Sequence, residues 1–281
     1  MTLHQLPIAN KERVIIVGAG IGGLAASLRL SHMGYNVKVF ETAETAGGKL
    51  RTITGQTGEI DIGPTVLTLL PVFQNLFRSV GEDIFDHIEL VRQKIIARHW
   101  WPDGETLDLH DDFESSRDAI LNFSGPESAK EFEKYFYDTR DLFSCFDIPV
   151  MRNPNPSMLD MNRAVLNNPK ILFKLHPLRT LSSLLNYKFR DSRLQQLFGR
   201  YSTYVGGSPL ESPALLSLIW QAEARGVWSI KGGMKKLARV LEKLAKDRGA
   251  SFCYSTEVTE LNIKYDLSLI HISEPTRPVV I

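Results

Sequence analysis

Three glycines and one glutamate near the N-terminus have the types and spacing that bind a dinucleotide. The glycines Gly18, Gly20 and Gly23 directly follow a β-branched apolar run at 14–17, which is typical of a strand buried on both faces of a parallel sheet. They permit a tight turn, a close approach of the backbone to a pyrophosphate, and close packing of the next helix on its strand. The N-terminus of that helix favours phosphate charges. The predicted cradle comprises Gly18, Ala19, Gly20, Ile21, Gly22 and Gly23.

Glu41 indicates which nucleotide this cradle prefers. It ends a second predicted strand at 37–40 and lies 23 residues after Gly18, near the interval of about 20 at which a carboxylate binds a ribose. A carboxylate at this point repels a 2′-phosphate, so NADP is disfavoured, whereas NAD and FAD both remain. A lone GxGxxG can also be a turn without a cofactor. The dinucleotide-binding interpretation is favoured, because a strand, a helix, a second strand and an acidic residue follow each other in the expected order.

A second glycine pair shifts the interpretation towards FAD. Gly47 and Gly48 are followed by the cations Lys49 and Arg51, which are well placed to meet the phosphates of a cofactor. The alternative is an ordinary turn with solvated cations. Only the presence of the first motif makes the cofactor interpretation preferable.

These motifs together resemble a known family. GAGIGGLAA, Glu41, GGKLRT and the segment EIDIGPTVLT at 59–68 resemble the FAD-dependent carotenoid desaturases of the phytoene desaturase type. Segments 97–109 and 197–234 are most similar to the 1-hydroxycarotenoid 3,4-desaturases, also called methoxyneurosporene dehydrogenases. The resemblance runs from about Arg13 to about Lys264, and its motifs are less decisive for the subgroup than for the family.

The resemblance implies an activity and further site residues. The expected enzyme binds FAD and desaturates an acyclic carotenoid by hydride transfer to the flavin, with C-3,4 desaturation of a 1-hydroxycarotenoid as the reaction. Phytoene desaturation and carotenoid isomerisation are the alternatives within the family. Gly63, Pro64 and Thr65 are expected near the flavin, although they also fit a structural turn fixed by proline. Val258 is expected to contact the adenine through its backbone. Neither a catalytic base nor an electron acceptor can be assigned.

The expected fold is α/β, with a Rossmann-like FAD-binding domain interrupted by an α+β substrate domain. The FAD-binding domain occupies 1–94 and resumes at 226–266, and the substrate or membrane-facing domain occupies 95–225. Two strands, 95–101 and 106–110, form a predicted hairpin in which His99 and Asp108 face each other as a polar pair rather than a metal site. Helical, aromatic-rich sequence follows at 128–146 and predicts a packed core face.

The last residues of the chain are expected to be foreign to it. Segment 267–277 resembles the in-frame translation of a transposase adapter used in sequencing libraries, so 267–281 is interpreted as an artefact and the chain as lacking the C-terminal part of its family. A short strand ended by Pro275 is the alternative. A fragment of this kind would be an inactive FAD-domain piece, which is the competing hypothesis to an active desaturase.

Composition narrows the class of protein. The chain has 281 residues, a net charge of +1 and two cysteines, which argues against nucleic-acid binding and against a disulfide framework. No signal peptide or membrane span is evident, and the histidines lack zinc-site spacing, so a cytoplasmic protein without a metal is expected.

A basic segment at 163–200 suggests a membrane partner. Because a carotenoid dissolves in lipid, cations interleaved with leucines there could dock the enzyme peripherally on an anionic membrane face. A solvated basic face on core helices is the alternative. The cations are Arg163, Lys170, Lys174, Arg179, Lys188, Arg190, Arg193 and Arg200.

Overall fold

The computed structural model describes residues 12–56, 58–153 and 155–261, which form two compact units. The first unit contains the described residues up to Arg92 and from Trp228 onward, and the second unit is Gln93–Val227. The domain boundaries expected from the sequence, at 94 and 225, differ from these by two residues each. The expected artefactual tail at 267–281 lies outside the described residues.

The first unit contains both strands and helices, whereas helices dominate the second. The strands are β1 Arg13–Val17, β2 Asn36–Phe40, β3 Thr52–Gly55, β4 Gly58–Asp61, β5 Leu90–Arg92, β6 Ile95–Trp100, β7 Thr106–His110, β8 Trp228–Ile230 and β9 Ser251–Cys253. The helices are α1 Ile21–His32, α2 Leu70–Arg78, α3 Ile84–His87, α4 Phe113–Phe146, α5 Met158–Asn167, α6 Leu172–Leu175, α7 Leu181–Lys188, α8 Ser192–Gly199, α9 Trp220–Ala224 and α10 Lys235–Asp247. Short 3-10 turns lie at Pro169–Ile171, Arg200–Val205 and Ala214–Ile219, and a π turn lies at Asp147–Met151.

A parallel sheet organises the first unit. Its order is β1-β2-β9, with Val14 opposite Val37 and Val39 opposite Phe252. Helices α1 and α10 pack against each other and contribute fully buried leucines to the same core, among them Leu24 and Leu241. A strand, a helix and a parallel strand in succession are the basic unit of a doubly wound fold. The predicted α/β fold with flanking helices is confirmed.

The burial predicted for β1 is only half right. Ile16 belongs to the core, but Ile15, whose side chain points to the other face of the strand, is 46% exposed. The expectation of a strand buried on both faces is therefore wrong at Ile15. An apolar run does not by itself show that both faces of its strand are covered.

The hairpin in the second unit is confirmed, but its register differs from the prediction. Trp100 pairs with Thr106, so that Arg98 lies opposite Asp108 and His99 opposite Leu107. Arg98 and Asp108 form a bidentate ion pair with both N–O distances at 2.6 Å. The predicted pairing of His99 with Asp108 is wrong, because the length of the turn sets the register and places these side chains on opposite faces.

An aromatic core fills the second unit. Helix α4 changes direction at Gly125, whose φ of 85° is not helical, and Pro126 follows it directly. Beyond the kink, Phe132 and Tyr135 are fully buried against Phe198 and Trp220. The core face predicted for 128–146 is confirmed.

None of the described helices is long and apolar enough to cross a bilayer.

Candidate cofactor site

The first glycine loop joins β1 to α1 and leaves open space above it. Gly18 has a φ of 95°, which favours glycine, and its N–H donates to the Phe40 carbonyl at 2.7 Å. A Cβ built on Gly18, Gly20 or Gly22 would meet no atom of the described residues within 4 Å. The first turn of α1 carries no acidic side chain that would compete for an anion. No side chain of the first turn of α1 therefore competes with an anion for the positive end of the helix dipole.

Gly23 has the opposite environment, because α1 and the loop touch there. A Cβ on Gly23 would lie 2.0 Å from the Gly18 carbonyl oxygen and 3.1 Å from its carbon. Both atoms belong to the backbone and cannot move without the loop. The close packing expected at this glycine is present, and a larger residue cannot be accommodated.

The second glycine pair lies directly on the first loop. The N–H of Gly47 donates to the Ala19 carbonyl at 2.9 Å, and a Cβ on Gly48 would come within 3.0 Å of the Gly20 Cα. The side chains of Lys49 and Arg51 are exposed. Two motifs that are separate in the sequence therefore form one continuous backbone wall.

The third predicted segment adds to this wall. A Cβ on Gly63 would lie 1.9 Å from the Lys49 carbonyl oxygen, and the N–H of Ile62 donates to the Arg51 carbonyl at 2.9 Å. Gly63, Pro64 and Thr65 are exposed. The structure thus brings all three predicted motifs together within the first unit.

Glu41 has a structural role that the sequence did not reveal. Its carboxylate accepts hydrogen bonds from the N–H of Ala19 at 2.6 Å and from the N–H of Ala43 at 2.9 Å. The glutamate therefore ties the first loop to the segment that leads to the second glycine pair. The Thr42 hydroxyl also donates to this carboxylate, at 3.4 Å. Because a carboxylate has about four lone-pair sites, these three bonds leave one for a ribose hydroxyl.

Val258 lies in the segment that follows β9. The backbone of Glu41 pairs with this segment, since its N–H donates to the Cys253 carbonyl and its carbonyl accepts from the N–H of Thr256, both at 2.9 Å. Val258 is half-buried two residues farther on. Its contact with an adenine remains a prediction.

Two charged residues at the same wall were missed by the sequence analysis. Lys235, in the first turn of α10, lines a cleft of about 180 Å³ together with Gly48 and Arg51. Asp61 accepts from the N–H of Met234 at 2.9 Å through one oxygen, and its other oxygen is buried without a hydrogen-bond partner among the described residues. For Asp61 the available signal was position, because it lies two residues before Gly63 of the third predicted motif.

The geometry of the backbone wall formed by the three glycine motifs is compatible with a bound dinucleotide. Open space lies over glycines whose neighbours are backbone, a helix dipole points into it, and exposed cations flank it. Among the described residues, no group of three or more histidine, cysteine or carboxylate side chains could hold a metal ion.

Comparison with known proteins gives matches that cover most of this chain. The sequence profile of a family described as "Flavin containing amine oxidoreductase" matches residues 21–272. Hydroxyneurosporene desaturase from Cereibacter sphaeroides is 44% identical over 249 residues, which cover 89% of this chain and 50% of that protein. A 4,4'-diapolycopene oxygenase from Methylomonas sp is 28% identical over 253 residues, covering 90% of this chain and 50% of that protein.

Solved structures support the fold. An oxidoreductase from Methanosarcina mazei superposes with a TM-score of 0.59 at 18% sequence identity, covering 90% of this chain and 53% of that one. The chain spans about half the length of the curated relatives it matches.

Proposed function

The chain belongs to the flavin containing amine oxidoreductase family, and we propose that the glycine wall of the first unit holds FAD. The N-terminus of α1 would face the pyrophosphate, Glu41 the ribose, and Arg51 and Lys235 the phosphate charges. Gly63, Pro64 and Thr65 would lie near the ring system, and Val258 near the adenine. When bound, the flavin supplies the two-electron oxidation chemistry.

We propose that the protein desaturates an acyclic carotenoid, with C-3,4 desaturation of a 1-hydroxycarotenoid as its reaction. The observation that carries this proposal is the 44% identity to a hydroxyneurosporene desaturase, against 28% to the oxygenase. Hydrogen leaves two adjacent saturated carbons, one as a hydride and one as a proton. The protein's task is to orient a long apolar chain and to exclude water. Phytoene desaturation and carotenoid isomerisation remain the alternatives.

The reaction is tested by giving the flavin-loaded protein a 1-hydroxycarotenoid in lipid vesicles without oxygen. We expect the flavin absorption to bleach in step with a product that has lost two hydrogens and absorbs at longer wavelength. A product of unchanged mass would instead identify an isomerase. An absence of turnover by the 281-residue chain would agree with the inactive-fragment hypothesis. The assay therefore compares this chain with a version extended past Asp266 from its source gene.

We also propose that the second unit docks on an anionic lipid surface. The described residues of 148–178 expose many large apolar side chains, among them Phe173 at 85% and Leu178 at 99%. Of the eight cations at 163–200, five pair with carboxylates, which reduces the expected basic character of this segment. Three have no carboxylate within 4 Å among the described residues, and these are Arg163, Lys170 and Arg179.

Charged substitutions on this apolar surface should weaken membrane binding. A double variant, Phe173→Asp with Leu178→Asp, is expected to lower partitioning onto anionic vesicles at least tenfold, because each side chain loses roughly 2 kcal/mol of burial in lipid. Flotation on anionic and on zwitterionic vesicles measures the effect. Leu210→Asp is the control, since Leu210 is also largely exposed, at 71%, but lies outside the segment. Equal flotation of all three proteins would refute the docking surface.

A further inference from the structure

Helix α10 begins with two cations and no acidic side chain. Lys235 and Lys236 occupy its first turn, and its N-cap is Met234, which has no polar side chain. The positive end of the helix dipole disfavours cations at this point. Neither lysine has a carboxylate within 4 Å among the described residues. The first turn of α10 therefore needs a negative charge from another element.

Asp61, the last residue of β4, supplies this charge. One of its carboxylate oxygens accepts from the N–H of Met234 at 2.9 Å, although the two residues are 173 positions apart in the chain. A Cβ built on Gly233 would lie 3.0 Å from one carboxylate oxygen and 3.2 Å from the other, so both oxygens face this turn. The φ of 84° at Gly233 lets the backbone fold around the carboxylate. Asp61 thus caps α10 from a neighbouring strand.

This cap is more costly than one on the helix itself. The second oxygen of Asp61 is buried and has no hydrogen-bond partner in the described part of the chain. Such an oxygen is unfavourable, because it has lost its bonds to water without replacing them. A serine or an aspartate at the N-cap of α10 would cap the helix without this cost. The carboxylate on β4 differs from such a cap in one respect, which is that it links two elements.

The two linked elements carry the two cations of one cleft. Arg51 directly precedes β3, and its carbonyl accepts from the N–H of Ile62, the residue after Asp61, at 2.9 Å. Lys235 lies on α10, on the other side of the link. Arg51 and Lys235 both line the cleft of about 180 Å³, and neither is paired with a carboxylate among the described residues. Since like charges repel, this cleft favours an anion between them.

We propose that Asp61 is a positioning residue of the cofactor site. It holds the first turn of α10 against the β3–β4 hairpin and so keeps Lys235 beside Arg51, where both cations face the pyrophosphate of the cofactor. This inference rests on the proposed FAD site and deepens it. Asp61 acts through Lys235 and leaves the charge of this lysine free, because no Asp61 oxygen lies within 4 Å of Lys235 Nζ.

A double-mutant cycle of Asp61 and Lys235 tests the proposal by titration of the apoprotein with FAD. Asp61→Ala and Lys235→Met are each expected to weaken FAD affinity about tenfold, because each removes about one charge-assisted contact. The double variant should bind FAD as Lys235→Met does, since Asp61 acts through that lysine. Asp61→Asn keeps an oxygen for the N–H of Met234 and should restore FAD affinity to within about threefold of the wild type.

Hydrogen exchange of the Met234 N–H in the apoprotein gives a second readout that does not depend on the cofactor. The exchange rate is expected to rise about fivefold or more in Asp61→Ala, because this variant removes the acceptor. It should stay at the wild-type rate in Asp61→Asn. Equal exchange rates in all three proteins would overturn the link between β4 and α10.

Glu59→Ala is the matched control. Glu59 also lies on β4 and contacts α10, through an ion pair with Arg239 at 3.1 and 3.2 Å, but both side chains are exposed. Exposed ion pairs contribute little, so FAD affinity should stay within about twofold of the wild type. Additive losses from Asp61→Ala and Lys235→Met would overturn the positioning role, because Asp61 would then act on the fold as a whole. If the wild type binds no FAD, the proposed cofactor site fails and this inference fails with it.

Discussion

Replacing Gly23 with alanine is expected to abolish flavin binding. The new Cβ would lie 2.0 Å from the Gly18 carbonyl oxygen, whereas real contacts of this kind are longer than 3.0 Å. Neither partner is a flexible side chain, so α1 must move away from the loop by about an ångström or more. That movement displaces the helix N-terminus from the phosphate position and costs about 1–3 kcal/mol of unfolding free energy. We expect at least a hundredfold weaker FAD affinity.

Gly22→Ala is the control for this variant. The same methyl group is added one residue earlier, where no atom lies within 4 Å, and the backbone N–H is retained. Because alanine is the better helix former by about 1 kcal/mol, we expect an equal or higher unfolding free energy for Gly22→Ala, which is therefore the control for stability. Its FAD affinity does not serve as a control, because the added methyl group lies in the space proposed for the cofactor. Titration of the apoprotein with FAD and urea denaturation measure both quantities. Unchanged affinity in Gly23→Ala would refute the close approach of loop and helix.

Removing the carboxylate of Glu41 is expected to weaken FAD affinity about a hundredfold. Glu41→Ala deletes the bonds to the N–H groups of Ala19 and Ala43 together with the proposed ribose contact. Hydrogen bonds of a charged acceptor are worth about 1.5–3 kcal/mol, which is roughly ten- to hundredfold in affinity. Glu41→Gln keeps one acceptor oxygen without the charge, so a loss of about tenfold is expected.

Two measurements separate the roles of Glu41. FAD titration reports the ribose contact, and urea denaturation reports the tie between the loops. Glu44→Gln removes a neighbouring exposed carboxylate and should change neither quantity. If Glu41→Ala lowers the unfolding free energy but leaves FAD affinity intact, the carboxylate acts only within the protein and the proposed ribose contact is wrong.

Much of the first unit could be predicted from its sequence. β1, the glycine loop, α1 and β2 were correctly anticipated, because glycine spacing and apolar runs act through local backbone conformation and local packing. The hairpin in the second unit was predictable from its turn residues, but its register was not.

Other features depended on contacts between residues far apart in the chain. The basic segment at 163–200 contains almost no acidic residues, yet α4 supplies Asp138 and Asp141 to its lysines. The exposure of Ile15 also depends on which elements cover β1 rather than on the strand itself. Neither charge neutralisation nor burial can be derived from a segment alone.

The sequence by itself therefore determined the nucleotide motif, the fold class and the family, since these depend on residue types at short, fixed spacings. The tertiary structure decided that the motifs of Gly20, Gly48 and Gly63 form one wall, with Lys235 beside it. It also decided that His99 and Arg200 each bury a nitrogen that has no hydrogen-bond partner in the part of the chain that the structure describes. The physical reason is that close approach and hydrogen-bond satisfaction are set by all the neighbours of an atom, most of which are distant in the chain.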